Sequence, residues 1–170
     1  PAAKVQELAD ALCAQPEVEP IGLGARDSLR LEAGLALYGH DLTPETDPVS
    51  AGLGFAISKK RRQTGGFPGA ERIVKLLDEG APTRRVGLSL EGRMAAREGA
   101  PVFAGSEQVG TVTSGGFSPT LGHPIAMAYV DAAKSAEGIE LEIEVRCKRL
   151  PARVVPMPFV PHRYHRKGAA

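Results

Sequence analysis

The chain changes its hydrophobic period once. Residues 2–14 place Val5, Leu8, Ala9, Leu12 and Cys13 at helical spacing, which predicts an amphipathic helix with one apolar face. Residues 15–20 form a polar link bounded by prolines. Residues 22–41 then read GLGARDSLRLEAGLALYGHD: two glycines, a helical run stopped at Gly34, and a second break at Gly39. Asp27 or Ser28 is placed to cap that run by accepting from free backbone N–H groups. Leu29, Ala33, Ala36 and Leu37 supply its apolar face. Asp47 before Pro48 predicts a cap and first-turn proline for a short helix over residues 49–53. A short strand is expected at residues 55–57 and a basic loop at residues 58–66. Residues 70–78 predict a helix that buries Ile73, Val74, Leu76 and Leu77 and ends at Gly80.

From Arg84 onward the period shortens from 3.6 toward 2. Val86, Leu88 and Leu90 alternate with small or polar residues. Residues 101–104 and 109–113 flank Gly105-Ser106-Glu107-Gln108, a hairpin signal. Ile125, Met127 and Tyr129 alternate again. In the clearest run, Ile139, Leu141, Ile143, Val145 and Cys147 point one way while Glu140, Glu142, Glu144 and Arg146 point the other. That pattern is a strand with one wet face. A last strand is expected at residues 152–155. The whole reads as an α+β chain: a helical or mixed segment, residues 1–80, followed by a small antiparallel β-barrel or sandwich, residues 81–170.

Composition narrows the function classes. The 170 residues are 42% hydrophobic and 24% charged, enough apolar material for a core. A net charge of +1 gives no electrostatic case for nucleic acid. The last residues, Arg163, His165, Arg166 and Lys167, are locally basic and read first as a frayed terminus, then as a ligand contact. No apolar run approaches the roughly 18 residues of a membrane span. Cys13 and Cys147 sit at apolar positions of predicted elements, so reduced, buried thiols are expected. The start at Pro1 resembles the middle of a larger protein or a trimmed product.

Few residues carry obvious chemistry. The cysteines lack zinc spacing, and His40, His123, His162 and His165 form no metalloprotease pattern. Lys59 to Arg62 are four successive cations without interleaved aromatics, which reads as a solvated loop or as a surface for an acidic protein partner. Ser114-Gly115-Gly116 is either a small anion nest or an irregular turn. Arg26 stands at a helix mouth beside a glycine loop. Its five fixed donors suit a carboxylate or a polar heterocycle, and an intrachain ion pair is the alternative.

A resemblance sharpens this picture. Residues 22–34, GLGARDSLRLEAG, resemble the signature of the glycine cleavage system T-protein, an aminomethyltransferase. The same family order continues through Leu37-Tyr38-Gly39, Lys60-Arg61-Arg62, Phe67-Pro68-Gly69-Ala70, Arg84-Arg85-Val86-Gly87-Leu88, Arg97-Glu98-Gly99-Ala100, the run from Gly110 to Leu121, Pro124-Ile125-Ala126-Met127 and Pro158-Phe159-Val160-Pro161.

The resemblance implies a three-lobed cloverleaf with folate in a central channel and a jelly-roll-like β-barrel as its last lobe. It implies transfer of a one-carbon unit from the aminomethyl-lipoyl arm of H-protein to tetrahydrofolate, with release of ammonia. Tetrahydrofolate is then a co-substrate, H-protein the partner, and no metal, nucleic acid or membrane is involved. The family's folate-contacting arginine matches Arg26, and a folate-site tyrosine matches Tyr164. The family's catalytic aspartate and a pterin-holding glutamate belong to its N-terminal half and have no counterpart here. The chain is therefore expected to be the C-terminal half of the enzyme, inactive alone and exposing apolar helical surface. A bacterial cytoplasm is favoured over a mitochondrion. Two alternatives stay open: the folate domain of a sarcosine or dimethylglycine oxidase, and a non-catalytic folate-binding relative.

Overall fold

The computed structural model describes residues 1–164, and among these four α-helices precede six β-strands. The helices are α1 (Val5–Cys13), α2 (Leu23–Glu32), α3 (Lys59–Thr64) and α4 (Ala70–Glu79). The strands are β1 (Thr83–Leu90), β2 (Pro101–Ala104), β3 (Glu107–Phe117), β4 (Pro124–Asp131), β5 (Glu140–Val145) and β6 (Lys148–Val155). They close an antiparallel barrel in the order β1-β4-β3-β2-β5-β6, with β6 returning to β1. The expected α+β class and closed barrel are both present.

Small and branched residues fill the barrel. Val86, Leu88, Val102, Val112, Ala126, Ala128, Val130, Leu141, Ile143 and Val154 form one buried cluster. The wet-faced strand behaves as its alternation requires: Leu141 and Ile143 are buried, and Glu140 is exposed. β4 is covered on both faces. Its alanines and Val130 point inward, while Ile125 and Met127 point outward under Leu31 of α2, Met157 and Phe159. Gly87, opposite Met127 on β1, makes this cover possible, because a Cβ there would sit 2.8 Å from Met157 Cγ.

Several local expectations change. α2 begins at Leu23 with Gly22 as its cap residue, so Asp27 and Ser28 lie inside the helix. The Ser28 hydroxyl donates back to Gly24 O at 3.0 Å rather than capping. Leu29 is exposed, and the buried positions of α2 are Leu31 and Glu32. Residues 49–53 form turns, although Asp47 does accept from Val49 N and Ser50 N at 2.9 and 2.8 Å. Burial would raise the Asp47 carboxyl, but these bonds and the charge of Arg72 hold it below its ordinary range. The strand expected at 55–57 is a 3₁₀ turn, Gly54–Ala56.

The basic loop is helix α3, capped by Ser58, whose oxygen accepts from Arg61 N. Ser114, Gly115 and Gly116 are neither nest nor turn but the interior of β3. Cys147 is not on a buried face: it follows Arg146 in the β5–β6 turn, both at positive φ (60° and 51°), and is exposed. That sign pair is the hairpin turn whose twist matches flanking strands. Cys13 is exposed as well, because α1 buries none of its residues and Val5, Leu8 and Leu12 face outward. His165, Arg166 and Lys167 lie outside the described residues.

Candidate functional site

Helix α2 is fastened to the barrel at two carboxylates. Asp41, fully buried, accepts from Leu37 N, Ser114 Oγ and Arg30 Nη1, each at 2.8 Å, and from Thr113 Oγ1. Thr113 and Ser114 are consecutive in β3 and would ordinarily face opposite ways. A bulge between Val112 and Ser114 leaves Thr113 as the extra residue, so both hydroxyls meet one carboxylate. Arg30 also pairs with Asp27 at 2.7 Å. The Tyr129 hydroxyl donates to Asp41 O at 2.9 Å. Burial raises the Tyr129 phenol to about 12, with the charge of Arg85 opposing.

Glu32 is the second fastening. Its carboxylate accepts from the Ser118 hydroxyl, from Thr120 N at 3.0 Å and from Thr120 Oγ1 at 2.7 Å. Burial pushes this carboxyl upward, yet the three bonds together outweigh it and hold the group below its ordinary value. Its backbone O accepts from Val160 N at 3.0 Å, which ties the C-terminal segment across the end of α2. Sequence reasoning missed both carboxylates. No local signal pairs Asp41 with a serine 73 positions away or Glu32 with one 86 away.

These fastenings define a cleft of about 560 Å³ between the start of α2 and the barrel. Its lining is Leu23, Gly24, Arg26, Asp27, Arg30, Leu37, His40, Arg97, Glu98, Thr113, Ser114 and Gly115. Arg26 lies in the first turn of α2 and, among the described residues, its guanidinium has no hydrogen-bond or ion-pair partner. His40 Nδ1 meets Glu98 Oε2 at 2.5 Å across the cleft rim. Arg97 Nη1 donates to Gly115 O at 3.0 Å.

Tyr164 is placed elsewhere. It is exposed, and its ring stacks on His162 with centroids 4.6 Å apart. His162 Nε2 lies 2.9 Å from Ala33 O, so this pair sits beyond the C-terminal end of α2. Seven residues of helical rise, about 10 Å, separate that end from Arg26. The described residues bring Arg26 into the cleft and leave Tyr164 outside its lining.

A wider groove of about 730 Å³ runs over β5, β6 and their neighbours and includes Glu91, Glu140, Glu142 and Arg153. Glu140 pairs with Arg153 at 2.9 Å and Glu142 with Arg149 at 3.7 Å. Most of its charge is spent within the sheet, so the smaller cleft is the better site.

Comparison with known proteins agrees with the fold. A family model described as the glycine cleavage T-protein C-terminal barrel domain matches residues 83–161, and one for the GCVT N-terminal domain matches residues 1–61. A mitochondrial aminomethyltransferase of Gallus gallus is 50% identical over 97% of this chain and 42% of its own length. An aminomethyltransferase of Synechococcus elongatus is 49% identical over 84% of the chain and 38% of its own length. The crystal structure of glycine cleavage system aminomethyltransferase T from Bartonella henselae superposes with a TM-score of 0.91 at 42% identity, covering 98% of this chain and 46% of that one. The chain thus spans less than half the length of these relatives. The expectation of a bacterial cytoplasm is overturned by the relatives themselves, since those of Gallus gallus, Schizosaccharomyces pombe, Dictyostelium discoideum and Solanum tuberosum are mitochondrial. On the two domain matches, the barrel and the fit to a solved member, the chain belongs to the glycine cleavage T-protein family and carries its C-terminal barrel.

Proposed function

We propose that this chain supplies part of a tetrahydrofolate-dependent aminomethyltransferase. In this reading an aminomethyl group carried on the lipoyl arm of H-protein passes its one-carbon unit to tetrahydrofolate, and ammonia is released. Residues 1–80 contribute to the folate-binding lobes and residues 81–170 form the terminal barrel domain.

The observation that carries the reading is the state of Arg26. It is an arginine at the mouth of a cleft, with all five donors unspent among the described residues, beside Gly24, where an added Cβ would meet nothing within 4 Å. A folate offers carboxylates and a polar heterocycle to such a group. Within the cleft Arg30 is neutralised by Asp27 and Asp41, which leaves Arg26 available to a ligand. Tyr164, exposed on the C-terminal segment, is the second proposed folate contact and would close the site from that side.

The chain's own residues bind and orient. No carboxylate in the cleft is free for proton transfer, because Asp27, Asp41 and Glu98 are each engaged. The resemblance places the family's catalytic aspartate outside these residues. The test is a coupled assay of methylenetetrahydrofolate formation from aminomethyl-loaded H-protein. The protein at its natural length is expected to turn over and these 170 residues alone are not. Turnover by the isolated chain would overturn the division of labour, and no turnover by either would overturn the function.

A further inference from the structure

Arg97 is an exposed residue of the cleft lining contributed by the barrel side. It lies in the connection between β1 and β2, which is pinned to β3 by backbone bonds from Gly99 N to Val112 O and from Val112 N to Ala100 O, both 2.9 Å. Ala96, fully buried, anchors the residue before it. Gly115 allows the connection to lie this close, since a Cβ there would stand 2.5 Å from Ala96 O. The exposed Arg97 guanidinium then donates one N–H to Gly115 O at 3.0 Å, which holds one edge of the group against β3. Among the described residues, four of its five donors remain. Its carboxylate neighbour, Glu98, is engaged by His40.

We propose that Arg97 is a second anion-binding residue of the cleft, and that it selects ligands carrying carboxylates beyond the part held by Arg26. Resting on the folate reading above, the group it receives is the glutamyl chain. A planar guanidinium already oriented by one backbone carbonyl loses little rotamer freedom on meeting a carboxylate, and the paired geometry is bidentate. Arg26 and Arg97 stand on separate elements, α2 and the β1–β2 connection, so they grip two different parts of one ligand. Arg30, in the same cleft, is spent on Asp27 and Asp41 and does not compete.

The test compares equilibrium binding of three probes to the protein at its natural length: tetrahydropteroate, which has no glutamate, tetrahydrofolate with one, and tetrahydrofolate with three. The unchanged protein is expected to bind the glutamated probes more tightly. Arg97→Gln should remove about tenfold of that preference, the scale of one charged bidentate contact, while tetrahydropteroate affinity stays the same. Arg97→Lys should keep part of it, because it retains charge without the fork. Equal weakening for all three probes, or a glutamate preference that survives Arg97→Gln, overturns the assignment. Failure of the unchanged protein to bind any of the probes overturns the folate reading, and this assignment falls with it. Tight binding without glutamate preference overturns this assignment alone.

Discussion

Arg30 Nη1 reaches the Asp41 carboxylate at 2.8 Å, and that pair joins helix α2 to the barrel. Asp41 has no exposed surface, and the Arg30 side chain is 13% exposed. Arg30 holds Asp27 on its outer side at 2.7 Å and so keeps one partner if Asp41 is removed. Asp41 without Arg30 keeps only the neutral donors of Leu37, Thr113 and Ser114. Arg30→Met is therefore expected to cost about 3–5 kcal/mol, the range for an unpaired buried charge. Asp41→Ala also destabilises, by leaving buried hydroxyls unsatisfied. Urea unfolding measures both, and changes below about 0.5 kcal/mol would mean the pair is not a fastening.

Glu32 gives the fold an acid-sensitive joint. Burial pushes its carboxyl up, but the bonds from Ser118 and Thr120 hold it below the ordinary carboxylate value. A carboxylate with a lowered folded-state value adds stability above its unfolded value and loses it as pH falls through the folded one. Stability should therefore fall below about pH 4.5, with Asp47 adding to the slope in the same direction. Glu32→Gln should lower the melting temperature at neutral pH and flatten the acid slope. An identical slope in the variant would show that Glu32 does not contribute.

The barrel was legible in the sequence, and its seat was not. Alternation from Ile139 to Val145 placed Leu141 and Ile143 inside because a strand's faces follow period 2 without outside help. The same rule broke at Arg146 and Cys147, where a turn with positive φ took two residues that continued the pattern. Met127 alternated correctly, but its face is the outer one, covered by Leu31 and Phe159. Only the packing of distant segments decides that. Arg26 was recognisable at the helix mouth from Gly22 and Gly24 nearby. Asp41 was not, since its partners depend on a bulge in β3 that no local signal announced. The basic run at 58–66 hid a helix, because Ser58 supplies a cap and Lys59 to Thr64 contain no breaker.

Gly115 and Gly116 should respond differently to the same change. A Cβ at Gly115 would press on the Ala96 backbone at 2.5 Å, whereas one at Gly116 would meet Leu31 Cδ2 at 3.6 Å, ordinary contact. Gly115→Ala is expected to cost about 1–3 kcal/mol and to displace the Arg97 connection. Gly116→Ala should change stability by less than about 1 kcal/mol. Denaturant midpoints for the two variants check this, and equal midpoints would contradict it.

Helix α3 offers only part of its charge to a partner. Arg62 donates Nε to Ile57 O at 2.9 Å, and Arg61 donates to Gly66 O at 3.3 Å, which leaves the exposed Lys59 and Lys60. If these meet an acidic face of H-protein, Lys59→Glu with Lys60→Glu should slow the H-protein-dependent reaction several-fold, more at low salt. Tetrahydrofolate affinity should not change. An unaltered rate in the coupled assay removes α3 from the docking surface.

The proposed role of Arg26 in holding folate is tested by equilibrium binding of tetrahydrofolate to the protein at its natural length. Arg26→Gln is predicted to weaken binding by about tenfold or more, the scale of a lost charged contact, with the melting temperature unchanged because its guanidinium meets no partner among the described residues. Equal affinity in the variant and the unchanged protein would contradict the account.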